Sequence, residues 1–298
     1  MSATRYKASG RRSGPRRFAR RIVALVLVAA CIAALALGAR IAVEEIRDSG
    51  PAPTALPPPP PKPLRIVFPE GFTRAEMAER ITAVDRIARR KRDVVPRLDA
   101  ERYLAATENS AYARRFARDG KRHSLEGFLF PATYEFFPRT TTQQLVRAQL
   151  NAFRRAWAKV DLSYARSRNL TAYDVLIIAS MIEKEVVAPE ERPLVAAVIY
   201  NRLRERIPLG IDATIRYALD VPATESLRVS QLEHPTPYNT REHQGLPPGP
   251  IANPGLASMQ AAAHPAKVDY LYFVRKPDKV HHFFTRSKEE FDEYQREN

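Results

Sequence analysis

The sequence predicts an α+β domain carried on one N-terminal membrane-spanning helix. Three observations lead there. Residues 22–39 form an uncharged apolar run of 18 residues bounded by Arg21 and Arg40, long enough as a helix for a bilayer core that takes roughly 17–25 residues. Apolar residues then recur at helical spacing in several later segments. The strand-like stretches at 64–68 and 270–274 do not alternate regularly with those helices, which argues for α+β rather than a parallel α/β sheet.

The charge is unevenly placed. The 298-residue chain has a net charge of +15, but residues 1–21 hold eight Lys and Arg and no acid, leaving +7 for the rest. A basic tail rich in Gly and Ser is expected to be disordered. Next to an apolar run, it places the tail in the cytoplasm and the chain after Arg40 outside. A nucleic-acid binder would need its folded part on the tail's side, so nucleic acid is not an expected partner. A signal peptide has an apolar region of about 7–15 residues, shorter than this run, so the segment reads as an uncleaved anchor. Val28-Ala29-Ala30-Cys31 resembles a lipoprotein processing box, yet the chain stays apolar through Ala39 where a polar tether would be needed. Cys31 is the one cysteine, which excludes disulfides and Cys-type zinc sites from the outer part.

Past the anchor, residues 41–50 read as a short helical exit and the proline tract up to Pro63 as a polyproline II spacer, reaching roughly 40 Å. Residues 64–68 read as a strand. Thr73 and Glu76 form a capping box for a helix whose inner face is Met77, Ala78, Ile81, Val84 and Ala88. Arg89-Arg90-Lys91-Arg92 ends it, where cations suit the helix dipole. Residues 99–106 and 110–117 read as helical. Residues 124–138 are dense in aromatic rings, which serve either as core or as platforms for sugar rings. Leu145, Leu150, Phe153 and Trp157 anchor the next helix. Thr171 and Asp174 open another, and Pro189 with Glu190-Glu191 opens the one carrying Leu194, Val195, Val198, Ile199 and Leu203. Residues 207–219 read as a loop or strand leading to a short helix. Residues 234–254 hold six prolines, and a long ordered loop in a compact domain is usually functional. A helix at 255–263 and a strand at 270–274, with Phe283-Phe284 as hairpin partner, close the domain.

The chemistry concentrates at the end of the apolar segment 176–187. Glu183 and Glu185 are two residues apart, so on a helix they point to nearly opposite sides. One can face solvent while the other faces inward. Burial disfavours the charged form of a carboxylic acid, which is how a general acid stays protonated near neutral pH. The plain alternative is two surface glutamates paired with Lys184 or Arg192. Phosphate loops, HExxH and GxSxG motifs are missing from the sequence, and the histidines lack metal-ligand spacing, so no metal or cofactor is expected. Tyr238, Asn239 and Thr240, in the proline-rich loop, offer hydroxyl and amide groups suited to uncharged, hydroxyl-rich ligands such as glycans.

These segments resemble the membrane-bound endolytic murein transglycosylases, the YceG-like family. The matching stretches are LEGFLFPATYEF (125–136), IIASMIEKEV (177–186), ER (191–192), VAAVIYNRL (195–203), YNT (238–240), GLPPGPIANPG (245–255), AAAHPAK (261–267) and YLYFV (270–274). The resemblance implies an endolytic peptidoglycan lytic transglycosylase. Such an enzyme cleaves the β-1,4 bond between N-acetylmuramic acid and N-acetylglucosamine, forms 1,6-anhydro-N-acetylmuramic acid, and terminates elongation of nascent strands. It implies glycan strands, the inner membrane and peptidoglycan synthases as partners, and no cofactor. The family's catalytic glutamate falls on Glu185, with Glu183 and Glu191 as secondary candidates. Tyr238, Asn239, Thr240, Asp212, Asn201 and Glu126 are the expected substrate-binding residues. The implied layout is a basic cytoplasmic tail (1–21), a transmembrane helix (22–39), a juxtamembrane and proline-rich linker (40–63), an N-terminal subdomain with a truncated LysM-like part (64–120) and a catalytic domain (121–298). The chain departs from the family's usual pattern at Gly210, where Gln is common, at Ala213, where Pro is common, and at Glu290, where His is common.

Overall fold

A computed structural model describes residues 15–48, 62–117 and 119–298. The basic tail before Pro15 and most of the proline tract lie outside the described residues. The chain divides into two compact units, residues 1–60 and 61–298.

The first unit contains one continuous helix, α1 (Pro15–Asp48). Its segment Ile22–Arg47 has 26 residues and a mean hydropathy of 2.9, and its side chains are exposed throughout. At 1.5 Å per residue it is about 39 Å long. A helix that is apolar all round needs an apolar surrounding. Among the described residues it is the one helix long and apolar enough to cross a membrane. The apolar run and residues 41–48 of the expected helical exit are one element.

The second unit runs β1 (Leu64–Val67), α2 (Arg74–Arg92), α3 (Ala100–Glu108), α4 (Arg114–Ala117), β2 (Thr133–Phe136), α5 (Thr142–Trp157), α6 (Ser163–Ser167) and α7 (Ala172–Glu185). A 3₁₀ turn at Pro189–Glu191 leads into α8 (Arg192–Glu205), α9 (Asp212–Leu219), α10 (Val229–Leu232), α11 (Leu256–Ala263), β3 (Tyr272–Arg275), β4 (His282–Thr285) and α12 (Lys288–Glu297). Helices and two separate antiparallel hairpins, β1–β2 and β3–β4, make this α+β. The pairing of Phe273 with Phe284 fixes the second hairpin's register.

Local signals set several boundaries. The capping boxes at Thr73/Glu76 and Thr171/Asp174 are both formed, each satisfying two backbone donors that a helix start leaves free. Asp99 caps α3 through the Arg102 N–H at 2.7 Å. Other expectations are corrected. Of residues 110–117 only α4 is helical, because Ser110 pairs with His123 as a β-bridge and its hydroxyl accepts from the Tyr112 N–H. Residues 133–136 form β2 against β1, with Ile66 opposite Tyr134. That pairing bridges the boundary expected near residue 120 inside one compact unit. The C-terminal helix α12 was not anticipated.

The core is centred on α7, where Tyr173 and every residue from Val175 to Ile182 are buried. Each large apolar side chain fully buried there gains roughly 1.5–3 kcal/mol. The aromatic stretch is largely core. Phe128 and Phe136 are buried, and Phe128 packs edge-on against Phe116 and Phe153 at 5.0 and 5.1 Å between centroids. Ser180, in the middle of α7, accepts a hydrogen bond from the Ile251 N–H at 3.0 Å. This pins the proline-rich loop to the helix that carries the two glutamates.

Candidate active site

The two glutamates of the last turn of α7 are both half-buried, so neither simply faces open solvent. The Glu183 carboxylate accepts the Gly255 N–H at 2.9 Å, just before α11. Glu70 lies against the same point, since a Cβ on Gly255 would fall 1.9 Å from its Oε1. Burial raises the Glu70 pKa and the neighbouring Glu183 charge raises it further, against the opposing charge of Arg192. Glu183 is therefore part of a joint between α7, residue 70 and the start of α11.

Glu185 opens on the other side, into a cleft of about 830 Å³. The first turn of α2, the end of α3 and one side of α9 form its walls, together with Glu126, Ile251 and Arg275. Burial raises the Glu185 pKa. The Asp212 charge raises it further, while Arg275 and the nearby Ala213 N–H oppose the rise. Ala213 lies in the first turn of α9, where free N–H groups point outward and favour negative charge. The carboxyl is thus held between two states. Burial favours the neutral acid, whereas the start of α9 and Arg275 favour the carboxylate. Arg275 is fixed in place by donating to the Glu185 backbone carbonyl at 3.0 Å. Asp212 is paired with Arg241 at 2.7 Å.

Glu126 is the second perturbed carboxyl of the cleft. It is 3% exposed and accepts from the Arg74 N–H at 3.1 Å, at the start of α2, and from Asn253 Nδ2 at 2.7 Å. The Tyr217 hydroxyl on α9 stands 3.4 Å away. Burial pushes its pKa up to about 7, against the Arg74 N–H and guanidinium. Asn253 also donates to the Phe72 carbonyl and accepts from the Leu129 N–H, both at 2.9 Å. Gly127 beside it has φ +85°, and a Cβ there would meet Pro250 at 2.7 Å; only glycine lets the two loops close. Tyr238 is half-buried with its ring 5.2 Å from Tyr217. Burial raises its pKa, and the Glu126 charge adds to the rise.

Three expected ligand contacts are committed elsewhere. Asn239 donates to the carbonyls of Leu232 and His234 at 2.8 and 3.0 Å. Thr240 accepts from the Ile211 N–H at 2.9 Å and so fixes the entry to α9. Asn201 donates to the carbonyls of Val268 and Tyr270 at 3.0 and 2.9 Å. All three are buried, and none lines the cleft at Glu185. Of the three, Thr240 supports the cleft by fixing the start of α9. Glu191 likewise accepts from the His282 N–H and pairs with its ring at 2.6 Å, tying α8 to β4. Ser287 caps α12 by accepting from the Glu290 N–H, and the Glu290 carboxylate accepts from the Thr285 hydroxyl. The structure thus brings Glu185, Asp212 and Glu126 to one cleft, with Tyr238 behind Tyr217. Tyr217, Arg74 and Arg275 are cleft residues that the sequence pattern does not single out, and Ala213 stands out there only as a departure from the family's usual residue. A helix start at 212 was the available signal for Ala213; Arg74 and Arg275 carried none.

The YceG-like family model matches residues 42–297. This chain belongs to the YceG-like family. It is 34% identical to the endolytic murein transglycosylase of Bacillus subtilis over 217 residues, 72% of this chain and 59% of the relative. It is 30% identical to the protein of the same name from Streptococcus pneumoniae over 247 residues, 76% of this chain and 43% of the relative. The chain therefore spans about half the length of these YceG-like relatives. The 2.6 Å crystal structure of a YceG-like protein from Listeria monocytogenes matches with a TM-score of 0.66 at 30% identity, covering 78% of this chain and 76% of that one.

Proposed function

We propose that this chain is an endolytic murein transglycosylase with Glu185 as its acid and base. The observation that carries the proposal is a raised carboxyl on the wall of an 830 Å³ cleft, against the first turn of a helix. Glu185 protonates the oxygen leaving the muramic acid C1, and the C1–O bond breaks. The resulting carboxylate, received by the Ala213 N–H, takes the proton of the muramic C6 hydroxyl as O6 bonds to C1. No water is consumed and Glu185 returns to its acid form. The Asp212 charge stabilises the oxocarbenium-like state electrostatically. The apolar helix α1 anchors the enzyme in the cell membrane with its N-terminus in the cytoplasm. The cleft then works outside, on strands emerging from peptidoglycan synthases, and ends their elongation.

One observation favours a second reading. Asp212 is close enough to Glu185 to raise its pKa, and ordinary glycosidases use two carboxylates. Product analysis separates the two. Digestion of purified peptidoglycan should release fragments ending in 1,6-anhydro-N-acetylmuramic acid, one water lighter by mass spectrometry than hydrolysis products. Glu185 must be protonated to act, so activity falls as pH rises through its pKa. Asp212→Asn removes a charge that raises that pKa, and the alkaline limb of the pH profile should move to lower pH with the anhydro product retained. Ordinary reducing ends, lost in Asp212→Asn, would establish a two-carboxylate hydrolase instead.

A further inference from the structure

Two arginines border the cleft beside Glu185, and among the described residues neither is paired with a carboxylate. Arg275 ends β3 and Arg216 lies on α9. Backbone carbonyls hold both in place. Arg275 donates through Nη2 to the Glu185 carbonyl at 3.0 Å. Arg216 donates through Nη1 to the carbonyls of Pro222 and Glu225 at 2.7 and 2.8 Å. Burial raises the Glu185 pKa and both guanidinium charges oppose the rise, so both stand close to its carboxyl.

The other charges of the cleft are differently placed. Asp212 is paired with Arg241 and Glu108 with Arg74, each at 2.7 Å. Glu76 accepts the Thr73 N–H in the cap of α2, and Glu126 accepts from the Arg74 N–H and Asn253. Lys184 donates to the Gly71 carbonyl. Of the exposed acids, Glu79 lies on α2, and Asp220 caps the end of α9 one turn beyond Arg216. Asp220 weakens the field of Arg216 without hydrogen bonding to it, so Arg275 is the less compensated of the two. A carbonyl anchors a guanidinium but carries no net charge to cancel it. Each guanidinium also has more N–H donors than its carbonyls occupy. What remains is a planar fork with a positive charge beside the acid, a match for a carboxyl group.

The two sugars that alternate along a peptidoglycan strand differ by one group. Muramic acid carries on O3 a lactyl ether ending in a carboxyl, which is free in a bare strand and amide-linked where a peptide stem is attached. A muramic acid lying with C1 at Glu185 brings this group to the same neighbourhood on its own ring. We propose that Arg275, supported by Arg216, binds the lactyl carboxyl of the sugar at Glu185 and so sets which of the alternating glycosidic bonds is presented to the acid. An N-acetylglucosamine in that place leaves both forks without an acceptor. The inference rests on the transglycosylase reading for its substrate and adds the residues that choose the bond.

Calorimetric titration of the full chain in detergent micelles tests it with two disaccharides. One is N-acetylglucosaminyl-N-acetylmuramic acid, whose muramic C1 is the free end. The other is chitobiose, the same backbone without the lactyl group. The wild type should bind the muramic acid disaccharide about tenfold more tightly, between the effect of an exposed ion pair and that of a charged hydrogen bond. The preference should shrink in high salt. Arg275→Gln should reduce it at least about threefold and Arg216→Gln by less, with affinity for chitobiose unchanged; a role confined to packing would weaken both ligands alike. Equal affinity of the wild type for the two disaccharides would overturn the inference, and that comparison holds even where a variant folds poorly. A folded Arg275→Gln variant that keeps the preference would overturn it too. Release of anhydro fragments without the preference sinks this inference alone. An Arg275-dependent preference in a chain that releases no anhydro fragments supports it and sinks the transglycosylase reading alone.

Discussion

Glu183 and Glu185 leave the last turn of α7 in nearly opposite directions and meet different surroundings. Glu183 meets the amide at the start of α11 and becomes a tie between segments 72 residues apart in sequence. Glu185 meets an open cleft, the first turn of α9 and the charge of Asp212. The residue type and the helix are the same. The difference lies in whether the carboxyl's partner belongs to the fold for good or leaves room for a ligand. A carboxylate that accepts permanent hydrogen bonds serves the fold, whereas one kept neutral by burial can give up a proton. Glu126 stands between these cases, deeply buried and bonded to amides, yet on the wall of the same cleft.

Replacing the carboxyls tests the contrast, and the largest effect should come from Glu185→Gln. It keeps size and polarity but cannot cycle a proton. General acid–base groups contribute about 10²–10⁴ in rate. Cleavage should fall at least about a hundredfold while circular dichroism and melting temperature hold. An active Glu185→Gln variant would move the acid elsewhere in the cleft.

Glu126→Gln should act on stability instead. Its folded pKa, raised to about 7 from an ordinary 4.5, means that the folded state binds the proton more tightly than the unfolded chain. The associated stability is complete below about pH 4.5 and lost as pH rises through about 7. Urea unfolding across that window should show the wild type losing on the order of 3 kcal/mol that the variant does not lose. Parallel curves for the two proteins would mean that Glu126 is charged throughout.

The smallest effect belongs to Glu183→Ala. Loss of one hydrogen bond to the Gly255 N–H should cost about 1 kcal/mol in thermal unfolding, and cleavage should change less than about threefold. A Glu183→Ala loss of rate equal to that of Glu185→Gln would erase the distinction between the two faces.

The sequence by itself determined what depends on neighbours in the chain. Helix starts at Thr73 and Thr171 were legible because a capping box is closed by residues three apart. The apolar run of α1, the hairpin of Tyr270–Leu271–Tyr272–Phe273 with Phe283-Phe284 and the opposite directions of Glu183 and Glu185 follow from composition and helical geometry. Motif resemblance added the family and the candidate residues. Only the tertiary structure decided which polar residues are occupied. Asn201, Asn239 and Thr240 carry the same donors as a ligand site would need, and their partners, such as Val268 and Tyr270 for Asn201, lie far along the chain or in loops without period. The pairing of β1 with β2 across the expected boundary, the Ala213 N–H near Glu185 and the anchoring of Arg275 on the Glu185 carbonyl are likewise long-range outcomes. Burial and hydrogen bonding are properties of a residue's surroundings in space, and a one-dimensional pattern reports them only where the surroundings are its own neighbours.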